Sequence, residues 1–291
     1  MAEILFPCLF ILLALGVPVA FAMAISVFAA VSFGSTYPNI VLVKEMFSGL
    51  DSFPLLAVPF FILAAEIMTG GAITQAVLRL AQSLVGHLRG GLGHANVVSS
   101  AMFAGISGSA LADAAGPGTM MIRMMEKGGY DRAYAGALTI ASSVVGPIIP
   151  PSITMIIYAM QDQNVSVGSL FMAGVLPGLV ITLAVLIANG RMSHLRGYAS
   201  GAPMPGMAEI ARIAFYAVPA LLLILLIVGG IRFGVFTPTE ASAIGVFVAF
   251  VFGLAISRDL TLKKLYEVFV TTAKQASVVM MLVGGSAILG Q

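Results

Sequence analysis

The chain has 291 residues, of which 59% are hydrophobic and 9% are charged, and its net charge is +2. Soluble domains carry about 25% charged residues, so this surface needs a lipid bilayer as its solvent. The near balance of 14 basic and 12 acidic residues leaves no strongly basic face and excludes nucleic acid as a partner. We therefore expect a polytopic integral membrane protein.

Apolar segments follow one another along the whole chain. In lipid only helices and closed barrels satisfy the backbone, and these segments are too long for barrel strands, so they predict an all-α bundle. We expect the first segment to be a retained transmembrane helix with a kink at Pro18. In chain order the segments are Ile4–Phe33, Phe53–Met68, Ile73–Leu88, Ala95–Met125, Ala133–Met160, Leu170–Ala188, Ile213–Ile231, Glu240–Ile256 and Leu265–Leu289.

Basic residues in short loops predict the sidedness of the bundle. Three clusters, within 123–132, 191–212 and 258–264, are assigned to the cytoplasm, whereas 161–169 has no Lys or Arg and is assigned to the outside. Ile73–Leu88 must then cross or lean through the bilayer, with the N-terminus outside and Arg79 snorkelling to the interface.

The chain reads as two related parts. Residues 1–196 form a predicted first repeat, 197–209 a loop rich in Gly and Pro, and 210–291 the start of a second repeat. A weak similarity between two segments supports this division, because Gly49–Pro59 and Gly234–Ala243 each lie between one long predicted helix and the start of the next. In the second of these, Thr237 and Glu240 fit a capped helix start.

The segment Ala101–Thr119 interrupts the pattern of continuous helix. Twelve of its nineteen residues are Gly, Ala or Ser, and Ser107-Gly108-Ser109 separates two short apolar stretches. Neither stretch spans a bilayer alone, so we predict a re-entrant hairpin over about 95–125 with its tip at this triplet. Tip N–H groups can face a carboxylate and tip oxygens can face Na⁺, and Asp113, one helical turn beyond Ser109, is expected to share that face. The alternative is a tightly packed pair of helices.

The second interruption is Ala141–Ser152, within an apolar segment at 133–160. Three prolines within five residues follow Gly146 and remove backbone donors. Unwinding there frees carbonyls around Gly146 and presents Ser152, whereas the alternative is a simple proline kink.

Other polar groups predict structure rather than chemistry. Glu66 is expected near a helix end, hydrogen-bonded to its neighbours, and Cys8 is expected to pack among apolar side chains. The three histidines have no metal-ligand spacing. An intramembrane enzyme would need paired carboxylates, a Ser–His pair or an HExxH motif, and the sequence has no such constellation.

Several motifs, in this order and spacing, resemble the large membrane subunit of tripartite ATP-independent periplasmic (TRAP) transporters, the DctM-type permease. The resemblance covers the whole chain. The motifs are Leu15–Ala22, Phe53–Gly71, Gly86–Asn96, Phe103–Asp113, Gly128–Tyr130, Gly146–Ser152, Leu170–Gly178 and Gly234–Ala243.

The resemblance implies an elevator-type importer with inverted repeats in the bacterial inner membrane, with Na⁺ as coupling ion and no other cofactor. It implies a small DctQ-type membrane subunit and a periplasmic DctP-type binding protein as partners. The implied solutes are organic acids: C4-dicarboxylates, sialic acid, or sugar and keto acids. The alternatives are another ion-coupled carrier or channel subunit, and a fragment that does not transport.

The resemblance also implies a site in which the hairpin tip faces the broken helix, forming one sodium site and half of a solute pocket. Its predicted solute- and Na⁺-binding residues are Ser107, Gly108, Ser109, Asp113, Gly146, Pro147, Pro150 and Ser152. Of these, Ser107, Ser109, Gly146 and Ser152 are the implied Na⁺ ligands.

Two departures from the family pattern are visible. Arg123 stands where the family usually carries proline, at the end of the second hairpin arm. The chain ends at Gln291, before an expected second hairpin and its matching broken helix. We therefore expect this chain to contain half of the family's site.

Overall fold

The computed structural model describes residues 2–34, 38, 40–69, 71–161, 164–198, 204–256 and 260–289. Throughout these ranges the regular structure is helical and no strand occurs. The helices are α1 (Ala2–Ala14), α2 (Val19–Gly34), α3 (Ile40–Leu50), α4 (Ala57–Met68), α5 (Ala72–Val85), α6 (Gly91–Ser107), α7 (Ala110–Asp113), α8 (Thr119–Lys127), α9 (Arg132–Ser143), α10 (Ile153–Gln161), α11 (Val167–Leu195), α12 (Met207–Arg232), α13 (Pro238–Val251) and α14 (Leu262–Leu289).

Within the described residues, α11 and α14 are long and apolar enough to cross a membrane as single helices. Two bent pairs pass the same criterion together: Ile40–Leu50 with Phe53–Met68, bent by 64°, and Met207–Val218 with Ala220–Arg232, bent by 61°. Many large apolar side chains on these helices are exposed, as a lipid-facing surface requires. The predicted all-α membrane architecture is confirmed, while its sidedness stays a prediction.

The prediction of one long helix over Ile4–Phe33 is wrong. The structure has two helices, α1 and α2, which pack against each other. Gly16 has a left-handed φ of 79°, and the amide of Val17 donates to the carbonyl of Leu12 at 3.0 Å. A left-handed glycine followed two residues later by Pro18 is a helix-ending signal, and it outweighs the continuous hydropathy. The helix α3 was also missed.

Helix α4 lies at the centre of the core. Val58, Phe61 and Ala64 on α4 are buried, and α6, α13 and α14 pack around this helix. Helix α13 of the predicted second repeat therefore packs on α4 of the predicted first repeat. Thr239 Oγ1 on α13 donates to the carbonyl of Phe53, just before α4, at 3.1 Å. The division into repeats stays a prediction. Residues 199–203 of the loop between the repeats lie outside the described ranges, and so does the chain's last residue.

The predicted helix start before α13 is confirmed. Thr237 Oγ1 accepts from the amide of Glu240 at 3.3 Å, and the Glu240 carboxylate accepts from the amide of Thr237 at 2.8 Å. This reciprocal pair satisfies two amides that have no partner in the first helical turn. It is structural, as expected.

Candidate functional site

The predicted hairpin is present, with its tip at the predicted triplet. Helix α6 ends at Ser107, and Gly108 adopts a left-handed φ of 59° that reverses the chain. Ser109 then caps α7, because its Oγ accepts from the amide of Ala112 at 3.3 Å. The second arm continues through a π-helical turn at Ala114–Gly118 into α8, and it packs on α6. The two arms pack on each other as short helices, so the choice between a hairpin that re-enters the membrane and a tightly packed pair of helices stays a prediction.

The second predicted interruption is also present. Helix α9 ends at Ser143 and α10 begins at Ile153, and the chain between them is not helical. Ser152 Oγ donates to the carbonyl of Pro147 at 2.6 Å and accepts from the amide of Met155 at 3.3 Å. A break of this length is more than a proline kink, because the α9 and α10 helices share no continuous hydrogen-bond ladder.

The two interruptions touch. A Cβ added to Gly108 would overlap the carbonyl oxygen of Pro151 and lie 3.1 Å from Ser152 Cα. A Cβ added to Gly146 would lie 3.0 Å from the amide nitrogen of Ala110. Glycine at both positions thus lets the backbone of the hairpin tip meet the backbone at both ends of the break.

A cavity of about 630 Å³ opens beside the tip. Ser107 and Ser109 lie on its hairpin side, and Glu66 of α4 and Gln275 of α14 lie on the facing side. Gln275 Nε2 donates to Glu66 Oε1 at 2.8 Å. Glu66 is indeed near a helix end and hydrogen-bonded, as predicted, but its position in this cavity was not foreseen. Gln275 was missed, since a lone glutamine in an apolar helix carries no positional signal.

Asp113 lies outside this cavity, in a polar layer between the hairpin and α9. Its side chain is 1% exposed, and its Oδ2 accepts from Ser143 Oγ at 2.7 Å. Its Oδ1 is buried without a hydrogen-bond partner among the described residues. The layer joins the hairpin to α9 through three side-chain pairs: Asp113–Ser143, Ser100–Ser142 and Asn96–Thr139.

The structure therefore brings most of the predicted site residues together. The tip residues are in direct contact with the break, which contains Gly146, Pro147, Pro150 and Ser152. Asp113 instead lies one helical turn beyond Ser109 in the second arm of the hairpin. Hydroxyl and carbonyl oxygens suit a hard cation, and amides at a helix start suit a carboxylate. Whether these residues bind Na⁺ or solute stays a prediction.

Known proteins match this chain along its length. The sequence pattern of the family described as "Tripartite ATP-independent periplasmic transporter, DctM component" matches residues 6–291. The sialic acid TRAP transporter large permease protein of Vibrio cholerae is 39% identical over 283 residues, covering 96% of this chain and 65% of the relative.

Two further relatives have sialic acid and 2,3-diketo-L-gulonate in their names. The sialic acid TRAP transporter permease protein of Haemophilus influenzae is 41% identical, over 88% of this chain and 41% of the relative. The 2,3-diketo-L-gulonate TRAP transporter large permease protein of Escherichia coli is 36% identical, over 97% of this chain and 66% of the relative. The chain thus spans less than two thirds of the length of these relatives.

Proposed function

Because the chain belongs to the DctM family of TRAP transporter components, we propose that it forms the first half-site of a large permease that imports an organic acid together with Na⁺. The family is one of transporter components, not of enzymes. The observation that carries the proposal is the direct contact between the hairpin tip and the broken helix. In this proposal the permease works in the bacterial inner membrane with a DctQ-type small subunit and a DctP-type periplasmic binding protein.

The proposed role of Na⁺ is to join the tip to the break. Ser107, Ser109, Gly146 and Ser152 would supply hydroxyl and carbonyl oxygens from two chain segments that are distant in sequence. A cation bound between them stabilises their contact, and the amides of the tip then keep the orientation that a solute carboxylate needs. This order of events makes solute affinity depend on Na⁺, which is the requirement for coupled import.

The cavity suggests which organic acids fit. A solute whose carboxylate faces the tip presents its other end to Glu66 and Gln275 across about 630 Å³. The Glu66 carboxylate accepts hydrogen bonds from hydroxyl groups and repels a second carboxylate. We therefore propose a hydroxylated acid, such as a sugar acid, rather than a C4-dicarboxylate.

A solute panel tests this function directly. Proteoliposomes would contain the chain in its full-length permease context, with small subunit and binding protein, and uptake of sialic acid, a hexonate and succinate would be measured with and without Na⁺. We expect uptake only with Na⁺ and binding protein, and faster for the hydroxylated acids. Equal uptake without Na⁺ contradicts the coupling, and a preference for succinate contradicts the assignment of the cavity.

The hydroxyl groups of the tip give a second expected result. Ser107→Ala or Ser109→Ala each removes one candidate Na⁺ ligand, at a cost of about 1 kcal/mol, so half-maximal uptake should need roughly fivefold to tenfold more Na⁺. Membrane insertion should be unchanged. The matched control is Ser99→Ala on the same helix, whose Oγ donates to the carbonyl of Asn96 at 2.9 Å. Unchanged sodium activation in both tip variants would remove the tip from the sodium site.

A further inference from the structure

A polar groove lies between α5 and the first half of α12, away from the cavity at the hairpin tip. Its volume is about 490 Å³, and it shares no lining residue with that cavity. Helix α5 contributes Gln75 and Arg79, and α12 contributes Glu209, Arg212 and Tyr216. All five side chains are exposed, so they are available to a ligand.

Both walls of the groove suit the boundary between membrane and water. Helix α5 has 14 residues and is therefore about 21 Å long, too short to cross a hydrocarbon core of about 30 Å upright. One face of α5 is apolar and buried, while Gln75 and Arg79 lie on the other. The facing segment Met207–Val218 is bent by 61° from Ala220–Arg232. Short amphipathic helices with basic residues and Tyr on one face are typical of the headgroup region.

Among the residues that the structure describes, no carboxylate lies within 4 Å of the guanidinium groups in this groove. The single ion pair among the described residues joins Arg132 to Glu126, far along the chain from both groove arginines. Arg79 and Arg212 therefore keep their N–H donors for another acceptor, and phosphate oxygens match the guanidinium fork. Glu209 adds one negative charge to the same groove.

Helix α12 also exposes apolar side chains outside the groove. Phe215 and Leu225 are each 70% exposed, and Val218 and Leu222 are each 40% exposed. By helical spacing Phe215 and Val218 lie on the side of α12 away from Glu209, Arg212 and Tyr216, and Leu222 and Leu225 lie beyond the 61° bend. The groove therefore supplies contacts to a headgroup, and the acyl chains of a bound lipid would stay in the surrounding bilayer.

We propose that this groove binds a phospholipid whose headgroup carries a primary ammonium beside its phosphodiester, that is, a phosphoethanolamine headgroup. Arg79 and Arg212 hold the phosphate, Gln75 and Tyr216 donate further hydrogen bonds, and Glu209 accepts from the ammonium. Two cations and one anion complement this zwitterion better than a headgroup that is only anionic. A choline headgroup fits least, because its nitrogen has no N–H to donate to Glu209.

The test is lipid binding to the purified, detergent-solubilised chain by native mass spectrometry, with phosphatidylethanolamine, phosphatidylglycerol and phosphatidylcholine of identical acyl chains. We expect affinity to fall in that order. The double variant R79Q/R212Q should lose at least tenfold in affinity for the first two lipids. Glu209→Gln should lower binding of phosphatidylethanolamine to the level of phosphatidylglycerol without weakening the latter.

The charge-matched control is R123Q/K127Q on α8, which removes two positive charges elsewhere and should leave lipid binding unchanged. A control that weakens binding as much as R79Q/R212Q would show a general charge effect and overturn the proposal. Wild-type binding in R79Q/R212Q would overturn it equally. Full competition by soluble phosphoethanolamine, which lacks acyl chains, would overturn the assignment to a membrane lipid. Thermal unfolding of each variant verifies that these exposed substitutions leave the fold intact.

Discussion

Gly108→Ala is expected to lower sodium-driven uptake by about 100-fold while leaving the protein inserted in the membrane. Gly108 has a φ of 59°, a conformation that costs an L-residue roughly 1–2 kcal/mol. Its new Cβ would also overlap the carbonyl of Pro151, and overpacking costs roughly 1–3 kcal/mol. Together these costs, about 3 kcal/mol, weaken the contact between the tip and the break. Every 1.4 kcal/mol corresponds to a tenfold change in an equilibrium constant. The measurement is the initial uptake rate per inserted permease in proteoliposomes.

Gly129→Ala is the control that separates backbone strain from steric overlap at the tip. Gly129 also has a positive φ, of 85°, but a Cβ there would meet nothing within 4 Å. This variant has the same kind of backbone cost without touching the tip, so its uptake per inserted protein should equal wild type. If both glycine variants lose uptake to the same degree, the effect lies in backbone strain alone and the tip contact is not required for transport.

The sequence predicts these interruptions because their causes are local. A glycine between two serines, flanked by stretches too short to span, needs little tertiary information to be identified as a tip. Three prolines after Gly146 remove amide donors wherever the segment lies. At the N-terminus the same kind of local signal, Gly16 followed by Pro18, was present, but continuous hydropathy dominated the prediction and produced one helix instead of two.

The facing wall of the cavity could not be predicted from local signals. Glu66 and Gln275 are 209 residues apart in sequence, and only the packing of α14 on α4 brings them together. The same holds for Asp113, which was expected to share the face of the tip. Its side chain points instead to Ser143 on α9, because the hairpin arm buries that face against α9. A helical turn fixes spacing along an axis, whereas the neighbouring helix decides which environment each face meets.

The buried position of Asp113 leads to the second large expected effect. A carboxyl group that is 1% exposed can hold a negative charge only beside a compensating charge, and the ion pairs of the described residues supply none to it. Na⁺ bound at the tip, one helical turn away, is the charge that the proposed function offers. Two unit charges about 7 Å apart at an effective dielectric of 20 interact by roughly 2 kcal/mol, which corresponds to about 30-fold in affinity. Asp113→Asn should therefore raise the Na⁺ concentration for half-maximal uptake by about 30-fold.

The control for Asp113→Asn is Ser143→Ala, which removes the 2.7 Å hydrogen bond to Oδ2 but keeps the negative charge. If charge is the cause, Ser143→Ala changes sodium activation far less than Asp113→Asn, although both disturb the same buried pair. Equal shifts in both variants would mean that Asp113 acts only through packing. Wild-type sodium activation in Asp113→Asn would mean that no cation depends on this carboxylate. Asn keeps the shape of Asp. A large change in the Na⁺ concentration for half-maximal uptake, with unchanged thermal stability, therefore separates the electrostatic contribution of Asp113 from any effect on folding.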